Sequence, residues 1–409
     1  MTRGARRRLA IGAIGCAALG SLSARGDALE RLDDALDFRT TDGAARATVS
    51  LFADVTTYVP DAPPPTLLFS DDDVFLAPRL SALLDANIGA HVAFRAQANV
   101  DRGFDPGEAR HGDARLDEYA LIIDARGDGK ALLELGKLAT RFGAFRDEHF
   151  ARDNPLITAP LIYEDVVPIN DRAAPASIAA FTARRNSRDL HDAWVPIVWG
   201  PSYATGAALL ARSDSLELAV EIKNRALSSR PATWADGTLD FDAPTLTGRI
   251  AWHPGFAWTL GGSASRGAYL QDEAQPTLPA GKHVDDYDQT TFGGDARFER
   301  HGLAIATEIV HAAFDVPGIG TVSVMSGYIE AKQKLGPQLW LAARWNQSAS
   351  DGGPPGDDEW DRAVRRLDVG LGYRFDRRVA AKLQYSFVDQ AGRDTNGDHL
   401  LAAQLTMQL

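Results

Sequence analysis

Charged side chains stand at alternate positions inside otherwise apolar stretches of this chain. Arg95 lies between Phe94 and Ala96, Arg249 between Gly248 and Ile250, and Lys382 between Ala381 and Leu383. The same spacing places Lys223, Arg225, Arg297, Arg344, Arg366 and Arg374 on the polar parity of their segments. Asp101, Glu134, Glu217, Glu221, Asp295, Glu299 and Asp368 share that parity. Side chains two residues apart on an extended chain point the same way, so each segment turns one charged face and one apolar face. The chemistry of such a wall is a field rather than bond-making: basic rings favour anions and carboxylate rings favour cations. Nine basic against seven acidic positions make a mixed wall with a slight basic excess. The alternative is that these charges pair across neighbouring strands and stiffen a wet wall.

A second concentration of charge lies in a long connector, residues 141–202. It begins with Arg141, Arg146, Asp147, Glu148, His149, Arg152 and Asp153 and continues through "PLITAPLIYEDVVP" to "ARRNSRDLHDAW". Leu156, Ile157, Leu161, Ile162 and Tyr163 can anchor such a segment against a wall and turn its charged flank towards a constriction. A structureless loop of this length is improbable without a function. Either it folds inward or it caps a pore mouth from outside.

Signals for covalent chemistry are thin. "DTNGD" (394–398) has calcium-loop spacing, but His399 replaces the glycine and Leu405 stands where the bidentate glutamate belongs. "SDDD" (70–73) could hold a divalent cation, including one bridging lipopolysaccharide. The nine histidines show no pairing with a serine motif such as G-x-S-x-G. No catalytic residue, metal site or cofactor is expected. A formal net charge of -12 argues against a nucleic-acid partner.

Those side chains need elements to position them. Strand-like alternation recurs near 45–58, 73–86, 89–103, 114–126, 129–140, 203–213, 215–226, 243–253, 256–269, 288–300, 302–315, 320–333, 337–349, 363–375, 378–391 and 397–409. In "HVAFRAQANVD" (91–101), Val92, Phe94, Ala96, Ala98 and Val100 oppose Arg95, Gln97 and Asn99. Soluble strands run about 5–6 residues, whereas a tilted membrane strand needs about 9–11. Long polar connectors alternate with short ones: "AN", "GDG", "SD", "HPG", "HG", "LGPQ" and "DR". Trp252, Trp258, Phe298 and Phe375 gather beside the short turns, as an interfacial aromatic girdle would. The pattern predicts an all-β, antiparallel, up-and-down transmembrane barrel of about 16 strands, with lipid outside Phe94 and water facing Gln97. A large soluble sheet with one wet face is the alternative.

The N-terminus has the form of a secretory signal. "MTRGARRR" is basic, "LAIGAIGCAALGSL" is apolar, and small residues follow, so cleavage is expected near Ala24 or Ala28. Cys16, the one cysteine, would leave with it, although lipidation of Cys16 or twin-arginine export remain open. Residues 29–44 then form a short N-terminal segment, with a helix expected over 29–37, and 45–409 the barrel.

With its signal, sixteen segments, a dominant third long connector and a strand at its end, the chain resembles Gram-negative outer-membrane porins. "GKLATRFGAFRDEHF" (136–150) is similar to a stretch of phosphate-selective porin-like proteins. The resemblance implies a third extracellular loop folded into the lumen and passive diffusion of small hydrophilic solutes or ions. It also implies a homotrimer, surrounding lipid and lipopolysaccharide, and assembly by the barrel-assembly machinery. Leu409 departs from the family's terminal phenylalanine. An anion-selective channel for phosphate or organic acids, a structural anchor or adhesin, and a soluble periplasmic β-protein are the rival functions.

Overall fold

The computed structural model describes residues 35–61, 73–101, 113–186, 194–231, 241–354, 359–391 and 397–408. The signal region, "SDDD" apart from Asp73, most of "DTNGD", Leu409 and the Asp147 side chain lie outside the described residues. Sixteen antiparallel strands form one closed ring. They are β1 (Ala45–Pro60), β2 (Phe75–Ile88), β3 (Val92–Asp101), β4 (Asp113–Asp124), β5 (Ala131–Leu138) and β6 (Ala204–Arg212). Next come β7 (Leu216–Lys223), β8 (Thr245–Gly255), β9 (Trp258–Ala268), β10 (Asp288–Arg300) and β11 (Leu303–Val316). The ring is completed by β12 (Gly320–Lys334), β13 (Leu339–Gly352), β14 (Val364–Arg374), β15 (Val379–Gln390) and β16 (Asp398–Gln408). Each strand pairs with its neighbours in sequence, and β16 closes on β1 from Leu400↔Pro60 to Gln408↔Phe52. Closure leaves no unpaired edge.

The faces follow the alternation. Phe94, Leu121, Val220, Ile309, Trp345, Leu371, Leu383 and Leu401 are exposed on the outside, while Gln97, Asn99, Glu221, Arg344, Asp368 and Gln384 are buried inside. Trp258 packs on Phe298 at 4.8 Å and Tyr373 on Phe375 at 5.0 Å, both beside short turns. An apolar outer belt with polar interior inverts a soluble protein, and it suits lipid as the outer solvent.

Short turns join the strands at one rim. His301 and Gly302 form a two-residue hairpin turn with φ of 51° and 81°, the conformation whose twist matches the flanking strands. Asp124 caps another: its carboxylate accepts from the N–H groups of Arg126, Gly127 and Gly129 at 3.0, 2.9 and 2.6 Å. Two expected turns sit elsewhere. "HPG" belongs to the bulged end of β8 and the turn is Phe256–Ala257, while "AN" lies within β2. Of the helix expected over 29–37, residues 29–34 lie outside the described residues, Ala35 is helical, and Asp37–Arg39 pairs as a strand with β1.

The third long connector has structure of its own. A 3-10 turn (Phe145–Glu148) leads to α1 (Leu161–Glu164) and then α2 (Ile178–Ala183). Ser177 caps α2 by accepting from Ala180 N at 3.1 Å. Val166–Val167 pairs with Val195–Pro196 as a small ribbon. Phe142, Phe145, Ile162, Tyr163, Phe181 and Val198 cluster with Val310, Phe314, Val322 and Val324 of β11 and β12. That contact makes the inner face of β11 and β12 apolar, which is why alternation near 302–333 reads weakly.

Candidate functional site: the charged wall and the cavity beside it

Two networks of ion pairs stand out on the inner face among the described residues. On β13 and β14, Arg344 Nε reaches Asp368 at 3.2 Å and Nη1 reaches Glu330 at 3.2 Å. Arg366 Nε donates to Asp368 at 3.1 Å, and its other nitrogens donate to Glu164 and to the Ala159 carbonyl. Asp368 also accepts from Ser386 (2.6 Å), Asn346 (3.0 Å) and Gln384 (3.2 Å). Burial raises the Glu164 carboxyl above its ordinary range while the Arg366 guanidinium pulls it back.

This face also holds residues 151–164. Lys382 Nζ donates to the carbonyls of Ala151, Asn154 (2.8 Å) and Leu156 (2.9 Å). Gln384 Oε1 accepts from Ile157 N and Thr158 N at 2.5 and 3.2 Å. Trp340 Nε1 donates to Pro155 O at 3.1 Å, Leu161 N to Asn346 at 3.2 Å, and Tyr163 Oη to Glu308 at 2.8 Å. The irregular backbone thereby finds the partners a regular strand would supply.

The second system crosses β2, β3 and β4. Arg79 Nε meets Asp101 at 3.1 Å; Arg115 meets Asp101 at 3.0 Å and Asp117 at 3.1 Å; Asn99 joins Asp117 to Ser81. Across a cavity of about 280 Å³ lie Phe145, His149, Phe150 and Tyr203. Asp54, Thr56 and Tyr58 of β1 and Gln404 of β16 also line it.

The remaining expected residues separate by position. Arg249 bonds Asp295 at 2.6 and 2.9 Å. Arg297 pairs with Glu148 and, at 2.7 Å, with Glu299. Glu134 pairs with Arg141. Glu221 accepts from Thr140 at 2.7 Å and the Arg141 N–H at 3.0 Å, with Lys223 at 3.5 Å. Arg146 borders a space of about 80 Å³ beside Arg141 and Arg249. Arg95 pairs with Asp85 at 3.1 Å, and half-exposed Glu217 with Arg212 at 3.6 Å. Arg374, Arg152, Asp153 and Lys382 border a separate cavity of about 230 Å³ at the turn rim. Arg225 lies beyond the end of β7, because the chain leaves the ring at Lys223 and bonds to the long connector.

Sequence reasoning missed Asp54, Arg79, Arg115, Asp117, Glu164, Glu330 and Glu308. Glu330 shares parity with Tyr328 and was visible. Arg115 and Asp117 were hidden by a bulge: Gln97 pairs with Glu118 and Ala98 with Leu116, which leaves Asp117 as the extra residue. Odd positions face inward before it, and outward as Leu121 and Ile123 after it.

No protein-family sequence profile matches the chain, and no curated protein matches it. Solved structures do. The outer membrane channel DcaP of Acinetobacter baumannii superposes with a TM-score of 0.58 at 11% identity, over 91% of this chain and 99% of that one. The anion-selective porin from Comamonas acidovorans gives 0.54 at 9%, over 89% and 100%. OmpT, an outer membrane protein of Vibrio cholerae described in a trimer form, gives 0.54 at 10%, over 90% and 100%. The chain therefore has the sixteen-stranded barrel fold of these proteins.

Proposed function

We propose that the chain is a porin of a Gram-negative outer membrane, through which small hydrophilic solutes or ions diffuse passively. One observation carries this reading: a cavity with charged, polar and aromatic side chains in its lining is left inside the closed barrel between residues 145–164 and the β1–β4 wall, under an apolar outer belt. In this reading residues 141–202 fold into the lumen as its constriction, short turns face the periplasm, and long loops face the medium and lipopolysaccharide. The signal is removed near Ala24 or Ala28, the barrel-assembly machinery inserts the chain, and it forms a homotrimer like the Vibrio cholerae protein. No bond-making step is assigned to it. The anion-selective alternative loses support because Arg249, Arg297, Arg344 and Arg366 are each paired with a carboxylate.

Purified full chain in a planar lipid bilayer tests the reading. Stepwise conductance in potassium chloride is the expected result, and membranes that stay silent at every protein concentration overturn it. The reversal potential across a salt gradient then decides between cation and anion preference.

A further inference from the structure

The cavity beside β1 contains one carboxylate that makes no ion pair among the described residues. Asp101 and Asp117 are bound by Arg115, Asp101 also by Arg79, and Glu164 by Arg366. Asp54 has no ion pair among the described residues, and its Oδ1 is buried without a hydrogen-bond partner although the residue is only 7% exposed. The two cations that act on it are engaged elsewhere, Arg79 with Asp101 at 3.1 Å and Lys382 with three backbone carbonyls. A second acceptor is also unused. Gln404 Nε2 donates to Thr56 Oγ1 at 2.9 Å, which leaves Gln404 Oε1 buried and unpartnered. Both residues border the 280 Å³ cavity, as do Tyr58 and Phe75, whose rings stack 4.9 Å apart.

Asp54 Oδ1 and Gln404 Oε1, two buried acceptor oxygens without a protein donor, are each costly to leave unsatisfied. Together they ask for a ligand that brings positive charge and N–H donors, and aromatic rings beside them favour a cation with an apolar body. The space equals roughly nine waters at about 30 Å³ each, enough for a solute of amino-acid size. We propose that this cavity is a binding subsite for small organic cations bearing N–H donors, alkylammonium or guanidinium compounds, with Asp54 as counter-ion and Gln404 Oε1 as second acceptor. The inference rests on the porin reading for the solute's route of access.

Calorimetry on the detergent-solubilised full chain tests it, using n-butylammonium chloride with tetramethylammonium chloride as a cation lacking N–H donors. Butylammonium binds the wild type, tetramethylammonium at least about tenfold more weakly. Asp54→Asn, nearly isosteric, weakens butylammonium at least about tenfold, the lower range for a hydrogen bond to a charged group. Gln404→Met, which leaves the charge in place, weakens it by a smaller factor. Retained heat-modifiable mobility on gels shows that each variant is folded. Equal binding of the two cations, or equal binding of butylammonium by wild type and Asp54→Asn, overturns the subsite. Silent bilayers with intact Asp54-dependent calorimetry would instead overturn the porin reading and leave the subsite standing.

Discussion

Replacing Arg366 with leucine isolates the bond between the long connector and the wall. Arg366 serves two carboxylates, and they fare differently when it is lost. Asp368 keeps Arg344 Nε at 3.2 Å, Ser386 at 2.6 Å and Asn346 at 3.0 Å. Glu164, only 5% exposed, keeps the Ala159 N–H at 2.9 Å as its one hydrogen-bond partner besides Arg366 among the described residues. The damage therefore concentrates on Glu164, and breaking one side of a buried pair costs about 3–5 kcal/mol. Glu164→Gln alone leaves Arg366 with Asp368 and Ala159 O, so it costs about 1.5–3 kcal/mol, near one hydrogen bond to a charged group. The double variant strands no charge and recovers most of the Arg366→Leu loss. Urea unfolding in phospholipid vesicles measures all three. The pH dependence has a definite sign. Burial raises the Glu164 carboxyl, and loss of Arg366 raises it further. A raised acid adds stability in its protonated form, fully present below the unfolded value of about 4.3 and lost as pH rises through the folded one. The Arg366→Leu penalty is thus largest in alkali and shrinks towards acid. Additive losses in the double variant, or a penalty that grows with acid, would refute the assignment of the damage to Glu164.

Arginine at Leu371 or Leu383, both exposed on the outer belt, should cost about 2–4 kcal/mol near the bilayer midplane in the same vesicles; a cost under about half a kilocalorie at both would remove lipid from the outer face. Gly372→Ala places a Cβ 1.9 Å from Trp340 Cζ2, and Trp340 is tied to Pro155 O, so about 1–3 kcal/mol of overpacking and higher bilayer conductance are expected. Unchanged stability would show that Trp340 moves freely. Burial pushes the Asp171 carboxyl up despite its 2.7 Å bond from Gln271. Asp171→Asn should accordingly gain stability over wild type at pH 8 and lose that gain by pH 4, a trend that thermal unfolding reads and whose reversal would sink it.

The strands were legible because period two needs only local chemistry, and all sixteen stand within a few residues of their expected places. The partners of the charges were not. Arg249 reaches Asp295 from β8 past Ser263 of β9 to β10, a relation fixed by register and invisible to parity alone. Asp117 shows a sharper failure, since one bulged residue reverses which parity is polar. The wall charges also read as a free field, whereas the hydrogen bonds of Arg344, Arg366 and Lys382 are spent on carboxylates of neighbouring strands, on Glu164 and on backbone carbonyls of the long connector. That connector has no periodicity, so nothing in its spacing announced which wall it would meet.

The pairing of β16 with β1 has a consequence for the order in which this molecule can be made. Gln408 sits opposite Phe52, so the seam joins residues 356 positions apart (408 minus 52). Contacts that distant are slow to form because the intervening chain must first be gathered. Until the last strand has been synthesised and delivered, β1 offers a bare ladder of amide and carbonyl groups to any strand nearby. A chain that stops before residue 398 lacks β16, so its β1 edge stays open where the seam would form.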